Sequence, residues 1–272
     1  MGTSSGYKMP TGGNWTPLKN EATDFVQGTG GPEITVDDLV ANFVRVHGGF
    51  KGLSRGSGGS APSLNAVSGP GGSSGHGGRA RLTGTGGRSR SAVIGTAQNL
   101  GGFLSRVSQV GLEEALRERG LGKIVGKPAA EIADALLDEF AGPASTLDNA
   151  LARESLADIR DEILEGAKTF EDVEKQLNAV IDQIGVFGIL ASFFGHYIFK
   201  MFCRNFYEEW LKKVGDTKAT NGLRQIKDYI TSSLRTKLAT RSIAAVDWKK
   251  SEGIRLSEEV LRETIEVFGV TA

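Results

Sequence analysis

Apolar positions recur at helical intervals over most of this chain, and no segment of real length alternates with the period of two that marks a half-buried strand. The clearest stripes follow residue 90. Residues 91–110 read as a helix carrying Gly95, Gly101 and Gly102, which predicts either a break or a close approach by a neighbour, and 112–119 continue after Gly111. Pro128 suits the first position of the next helix, with Ile132, Ala133, Leu136, Leu137 and Phe140 on one face, and Gly142-Pro143 ends it. Ser145 with Asp148 and Thr169 with Asp172 have capping-box spacing. They open helices carrying Leu147, Leu151, Ile159 and Ile163, then Val173, Leu177, Val180, Ile181 and Ile184. A long apolar helix follows to about Val214, closed by Gly215. Residues 223–238 carry Ile226, Ile230 and Leu234, and a last helix is predicted to open at Ser257, with Glu258 and Glu259 at its positive end. The fold class is therefore all-α: a multi-helix bundle preceded by a flexible Gly/Ser-rich N-terminal arm.

The arm divides into three parts. Residues 1–33 are rich in Gly, Pro, Thr and Asn and read as a flexible tail, with Tyr7, Trp15 and Phe25 as single aromatics that could anchor in a partner's pockets. Residues 34–49 read as a short amphipathic helix: Thr35 and Asp38 match a capping box, Val36, Leu39, Val40, Phe43 and Val44 form a stripe, and Gly48-Gly49 stop it. So short a helix is marginal alone and must dock on the main domain or on another protein. Residues 50–90 read as a Gly/Ser-rich basic linker; positions 51–90 hold 13 glycines and eight serines, and such a coil spans roughly 30 Å. Residues 91–272 form the all-helical domain.

Composition sharpens this division. Of 38 glycines, 25 lie in residues 1–102, and glycine has the most backbone entropy to lose on folding. Formal net charge is zero, yet residues 1–102 hold nine Lys/Arg against five Asp/Glu, leaving 23 against 27 for the rest. Residues 51–90 contain Lys51, Arg55, Arg79, Arg81, Arg88 and Arg90 and no acid. That dilute positive charge suits a solvated linker, with a nucleic-acid-binding adaptor as the alternative. Cys203 is the single cysteine, which excludes an internal disulfide framework, and no secretory pattern opens the chain; a cytoplasmic protein is expected. The apolar stretch 184–203 is close to a bilayer span. It reads as the central helix of a bundle, with a membrane-acting effector as the second alternative, because the uncharged run between Asp182 and Lys200 contains three glycines and His196.

Candidate chemistry is sparse. Two G-x-S-x-G matches, at residues 52–56 and 71–75, lie in the linker and neither follow a strand nor open a helix. No phosphate-binding loop of the Walker type is present. His47, His76 and His196 have no Cys or His at ligand spacing, so no metal site and no catalytic set is expected. His196 and Cys203 share a helix face about 10 Å apart, too far for a direct pair. The carboxylates Asp134, Asp138 and Glu139, and Asp158, Asp161, Glu162 and Glu165, read as solvated faces paired with Arg153 and Arg160. The pointed feature is Gly2. Removal of Met1 exposes an unhindered α-amine that titrates at about pH 8 and is usable as a nucleophile. It sits on a Gly-Thr-Ser-Ser-Gly-Tyr tail that can thread into another protein's pocket. Myristoylation wants Ser or Thr where this chain has Gly6.

Met1-Gly2-Thr3-Ser4-Ser5-Gly6-Tyr7, Gly78-Arg79-Ala80-Arg81, the Leu-Gly-Lys-Ile-Val-Gly-Lys-Pro run at 121–128 leading into Glu131-Ile132, Phe193-Phe194-Gly195-His196 with Cys203 and Asn205, and the 223–238 helix together resemble the QatB family. These are associated proteins of the bacterial Qat anti-phage defence system. The resemblance implies a non-enzymatic helical protein that binds QatC, a QueC-like partner, beside the system's ATPase and TatD-like nuclease. It further implies that Gly2 is the acceptor of a deazaguanine-type modification and that Thr3, Ser4, Ser5, Gly6 and Tyr7 enter the partner's pocket. No cofactor belongs to the chain itself; ATP and the 7-deazaguanine precursor belong to the partner enzyme. Two departures stand against the resemblance: the long linker and the helix after Trp248.

Overall fold

A computed structural model describes residues 13–29, 34–54, 91–238 and 246–270. The described residues form ten α-helices and no strand, so the all-α expectation is met for them. Residues 1–12, 30–33 and 55–90, which make up much of the expected arm, lie outside the description. The helices are α1 (Trp15–Gln27), α2 (Val36–Val46), α3 (Gly49–Ser54), α4 (Ala92–Val110), α5 (Leu112–Glu118), α6 (Ala129–Ala141), α7 (Leu147–Ile163), α8 (Phe170–Val214), α9 (Asp216–Lys237) and α10 (Ser251–Glu266). A short 3-10 turn at Gly122–Ile124 joins α5 to α6.

The bundle is organised around α8. Its stretch from Val186 to Phe202 is apolar on nearly every face because α4, α7, α9 and α10 pack against the helix. Phe187, Leu190, Phe193, Phe194, Ile198 and Phe202 are each at most 2 % exposed. Burying a side chain of this size contributes about 1.5 to 3 kcal/mol, so this one helix carries a large share of the core. It is also the described helix that is long and apolar enough to cross a membrane by length and composition, with 44 % of its apolar window buried in the bundle. It is not continuous. Gly185 stands at φ 70° and ψ 169°, a left-handed backbone that breaks the helix between residues 170–184 and 186–214.

Local side-chain caps set the starts of α2, α7 and α8. At α2 the Thr35 hydroxyl accepts from the Asp38 N–H at 3.1 Å while the Asp38 carboxylate accepts from the Thr35 N–H at 3.4 Å. The box at α8 is tighter, with Asp172 N–H to Thr169 Oγ1 at 3.2 Å and Thr169 N–H to Asp172 Oδ2 at 3.0 Å. The expected box at Ser145 is displaced by one residue. Thr146 caps α7 by accepting from the Asn149 N–H at 3.2 Å. Asp148 instead accepts from the Ala92 N–H at 2.7 Å, from Ser91 at 3.3 Å and from the Tyr197 hydroxyl, pinning the start of α4 to α7 and α8.

Three further expectations are corrected. Helix α1 falls inside the stretch expected to be tail, and its Leu18 and Ala22 are essentially inaccessible. Phe25 packs on Trp210 with ring centroids 6.3 Å apart, and Lys213 donates to the Thr23 hydroxyl at 3.0 Å. Helix α9 begins at Asp216, seven residues before the expected start. Gly222 lies within it because a Cβ there would stand 2.9 Å from the Trp210 ring, so the glycine is a close approach rather than a boundary. Helix α10 begins at Ser251, and Ser257, the expected cap, is buried inside it with its hydroxyl donating to the Gly253 carbonyl at 2.9 Å. The glycines of α4 resolve in favour of close approach. A Cβ on Gly101 would lie 2.4 Å from the Trp248 ring, and one on Gly102 would lie 3.0 Å from the Trp248 Cβ.

Helices α2 and α3 join α1 on the same body. Phe43 packs edge-on against Phe202 at 5.0 Å, Arg45 donates to the Gly269 carbonyl at 3.0 Å, and Arg262 lies over the Phe50 ring at 4.7 Å. Both ends of residues 55–90 therefore attach to one helical body, which answers where the short helix docks.

Candidate functional site

Two turns of α7 and two of α8 carry complementary side chains. Asp158 and Glu162 are four apart on α7, and His196 and Lys200 are four apart on α8, so each pair occupies one face. Packing of α7 on α8 brings the faces together. His196 is 7 % exposed; its Nδ1 lies 3.4 Å from Asp158 Oδ2 and its Nε2 lies 3.1 Å from Glu162 Oε2. Lys200 Nζ stands 3.0 Å from Asp158 Oδ2, and Lys227 of α9 stands 3.8 Å from Glu162 Oε1. A neutral imidazole can donate to one of the two carboxylates, whereas the doubly protonated ring donates to both. Burial opposes ionisation of Asp158, but the hydrogen bonds from His196 and Lys200 outweigh it and hold the carboxyl below the usual carboxylate range.

Of the carboxylates expected on solvated faces, Asp134, Asp138 and Asp161 are exposed and pair with Arg153 and Arg160 as expected, whereas Asp158 and Glu162 turn to His196. Arg153 pairs with Asp138 and donates to the Gly142 carbonyl at 3.0 Å. Arg160 pairs with Asp134 at 3.0 Å and with Asp161 at 2.8 Å. The matched i, i+4 spacings of the two pairs were visible, but a pairing across 34 residues depends on how α7 lies on α8.

His196 sits at one end of an open trough of about 490 Å³ formed where α8 breaks. The floor is the face of α8 carrying Gly188, Ser192, Gly195 and Phe199. One wall is Ile163, Val180 and Ile184; the other is Ile230, Leu234 and Leu238 of the α9 side. Gly195 admits the neighbouring wall, since a Cβ there would stand 2.5 Å from Leu234 Cδ1. Polar groups gather at Gln183, Ser192, Thr231, Lys227 and Arg235.

The arrangement lacks the geometry of nucleophilic catalysis. Ser192 precedes His196 by one turn, yet both ring nitrogens face carboxylate oxygens, leaving no acceptor nitrogen for a hydroxyl proton. The Cys203 thiol is pushed up to about 12, chiefly by burial, so it stays protonated and unreactive at neutral pH. Burial and the Asp148 charge likewise push the Tyr197 phenol upward. Among the described residues no group of three or more His, Cys, Asp or Glu side chains is placed to hold a metal ion.

Gly2, Thr3, Ser4, Ser5, Gly6 and Tyr7 are outside the described residues. The chain resumes at Gly13, and Trp15, at the start of α1, packs edge-on against His47 with centroids 4.9 Å apart. Burial pulls the His47 imidazole down to about 4 against the opposing hydrogen bond to the Phe43 carbonyl, so it packs as a neutral ring at pH 7.

Comparison with known proteins places the chain. Residues 77–268 match the family described as Qat anti-phage system associated protein QatB. Neither a curated protein nor a solved structure matches. The matched region contains the His196 cluster, the trough and all of α10, so the helix after Trp248, read from the sequence as a departure, falls within the family's common region. It leaves out α1 to α3 and the opening heptapeptide. With more than half of its length matched from the linker end to the last helix, the chain belongs to the QatB family of Qat anti-phage system associated proteins.

Proposed function

We propose that this chain serves Qat anti-phage defence as a non-catalytic component that binds a QueC-like partner, QatC, and offers its N-terminal glycine to that enzyme as a modification acceptor. Family membership sets the role in defence. The finer reading is supported by Gly2 and the small-residue tail behind it, which present a nucleophilic amine with little steric bulk. The observation that carries it is the anchoring of α1. Leu18, Ala22 and Val26 are buried on the body, so residues 2–13 start from a fixed point and reach at most about 40 Å even when fully extended. A partner that receives Gly2 must therefore bind close to α1. The ATP and deazaguanine chemistry belong to that partner; the chain contributes the amine and the surface beside it.

Intact-mass analysis of the chain co-expressed with its QatC-like partner tests this. The expected result is a single adduct beyond loss of Met1, mapped to Gly2 by peptide fragmentation and absent without the partner. A wild-type chain that leaves this co-expression with a free Gly2 amine overturns the reading.

A further inference from the structure

The trough at the break of α8 is unusual in being apolar along its walls, open along one side and basic along one rim. From Gly188 to Phe199 its floor runs about 16 Å, or three helical turns. The walls at Ile163, Val180, Ile184, Ile230 and Leu234 offer no hydrogen-bonding side chain. An extended peptide laid there would pair only the backbone groups within reach of Gln183, Ser192 and Thr231 and would leave those against the apolar walls unpaired, at a cost of about 1 to 3 kcal/mol each. A helix brings its backbone already paired. Because the trough is open on one side, its occupant must be apolar on one face and polar on its back, which describes an amphipathic helix rather than a wholly apolar ligand.

Charge selects which helix. The α9 rim carries Lys227 and Arg235. Lys227 reaches Glu162 only at 3.8 Å, and Arg235 has no ion-pair partner among the described residues. On the opposite side Glu162 is already engaged by His196 at 3.1 Å. The complementary flank is therefore acidic.

We propose that this trough is the docking site for an amphipathic helix of the QueC-like partner, apolar toward the α8 floor and acidic along the edge that meets Lys227 and Arg235. The inference rests on the reading that the chain works through that partner. His196, held between Asp158 and Glu162, fixes α7 against α8 at the trough's end and so keeps the floor and walls in register.

The test uses the full chain and the purified partner, with affinity measured by titration calorimetry at low and moderate salt. Ser192→Trp fills the floor, Thr231→Trp obstructs the rim from an exposed position, and Lys227→Glu with Arg235→Glu reverses the charge. Each tryptophan variant is expected to weaken binding at least about tenfold. The charge reversal is expected to weaken it and to reverse the sign of its salt dependence, because carboxylates then face an acidic flank, while Arg235→Lys stays near wild type. If Ser192→Trp fails to fold, Thr231→Trp decides. Wild-type affinity in folded Thr231→Trp and in the charge reversal overturns the inference and leaves the proposed function standing. Wild-type affinity in both tryptophan variants with a lowered thermal midpoint means that the chain's own residues fill the trough, which also overturns it. A wild-type chain that forms no complex with the partner removes the proposed function and this inference together.

Discussion

Gly101 of α4 lies directly beneath the indole of Trp248, so close that a single added methyl would stand 2.4 Å from the ring. The Trp248 carbonyl also accepts from the Gln98 side chain at 2.5 Å, one turn earlier on α4. Absence of a side chain at 101 is thus what lets the segment before α10 lie on the bundle. Gly101→Ala is expected to destabilise the fold by about 1 to 3 kcal/mol through overpacking, read as a lowered urea midpoint. In a Trp248→Ala background, where the obstruction is gone, the same substitution should cost little, and a double-mutant cycle measures the difference. Equal costs in both backgrounds would contradict the contact.

Asp158 gives the cluster a pH signature. Its folded carboxyl is held below the usual range, so the stability it contributes is present above the unfolded value of about pH 3.9 and is lost as pH falls through the folded value. Asp158→Asn should lower stability by about 1 to 3 kcal/mol at pH 7, because His196 and Lys200 lose a charged acceptor. The gap between variant and wild type should narrow below about pH 4. Denaturant titrations at pH 7, 5 and 3.5 check this, and a gap that widens toward acid would contradict it.

Helix α1 is part of the core. Leu18 is 1 % exposed, and Leu18→Ala is expected to cost about 2 to 5 kcal/mol in a cooperative unfolding transition followed by the circular dichroism of the whole bundle. A neutral outcome would mean that residues 15–27 do not pack as described.

Cys203 should be nearly inert. With its half-buried thiol pushed up to about 12, the thiolate fraction at pH 7.5 is very small, and reaction with a disulfide reagent should be slow in the folded chain and speed up on unfolding. Labelling rates across a denaturant series check this; rapid labelling in buffer would contradict it.

Most helices were legible because their signals are local. The boxes at Thr35 and Asp38 and at Thr169 and Asp172 formed as read, since every atom involved lies within four residues. The stripe of α1 was present too, as Trp15, Leu18, Ala22, Phe25 and Val26, but its Gly, Pro and Asn surroundings disguised a helix that forms by packing on Trp210. The start of α7 was misplaced because Asp148 is claimed by the Ala92 N–H from 56 residues away.

By itself, then, the sequence determined the all-α class and many helix starts and stops, because hydrophobic period and capping are properties of neighbouring residues. Only the tertiary structure decided that Gly101 and Gly222 are seats for Trp248 and Trp210, that α1 to α3 lie on the main body, and that two unremarkable carboxylates close around His196. Those outcomes depend on which helix faces lie against each other, and that is settled by burying apolar area over the whole bundle at once.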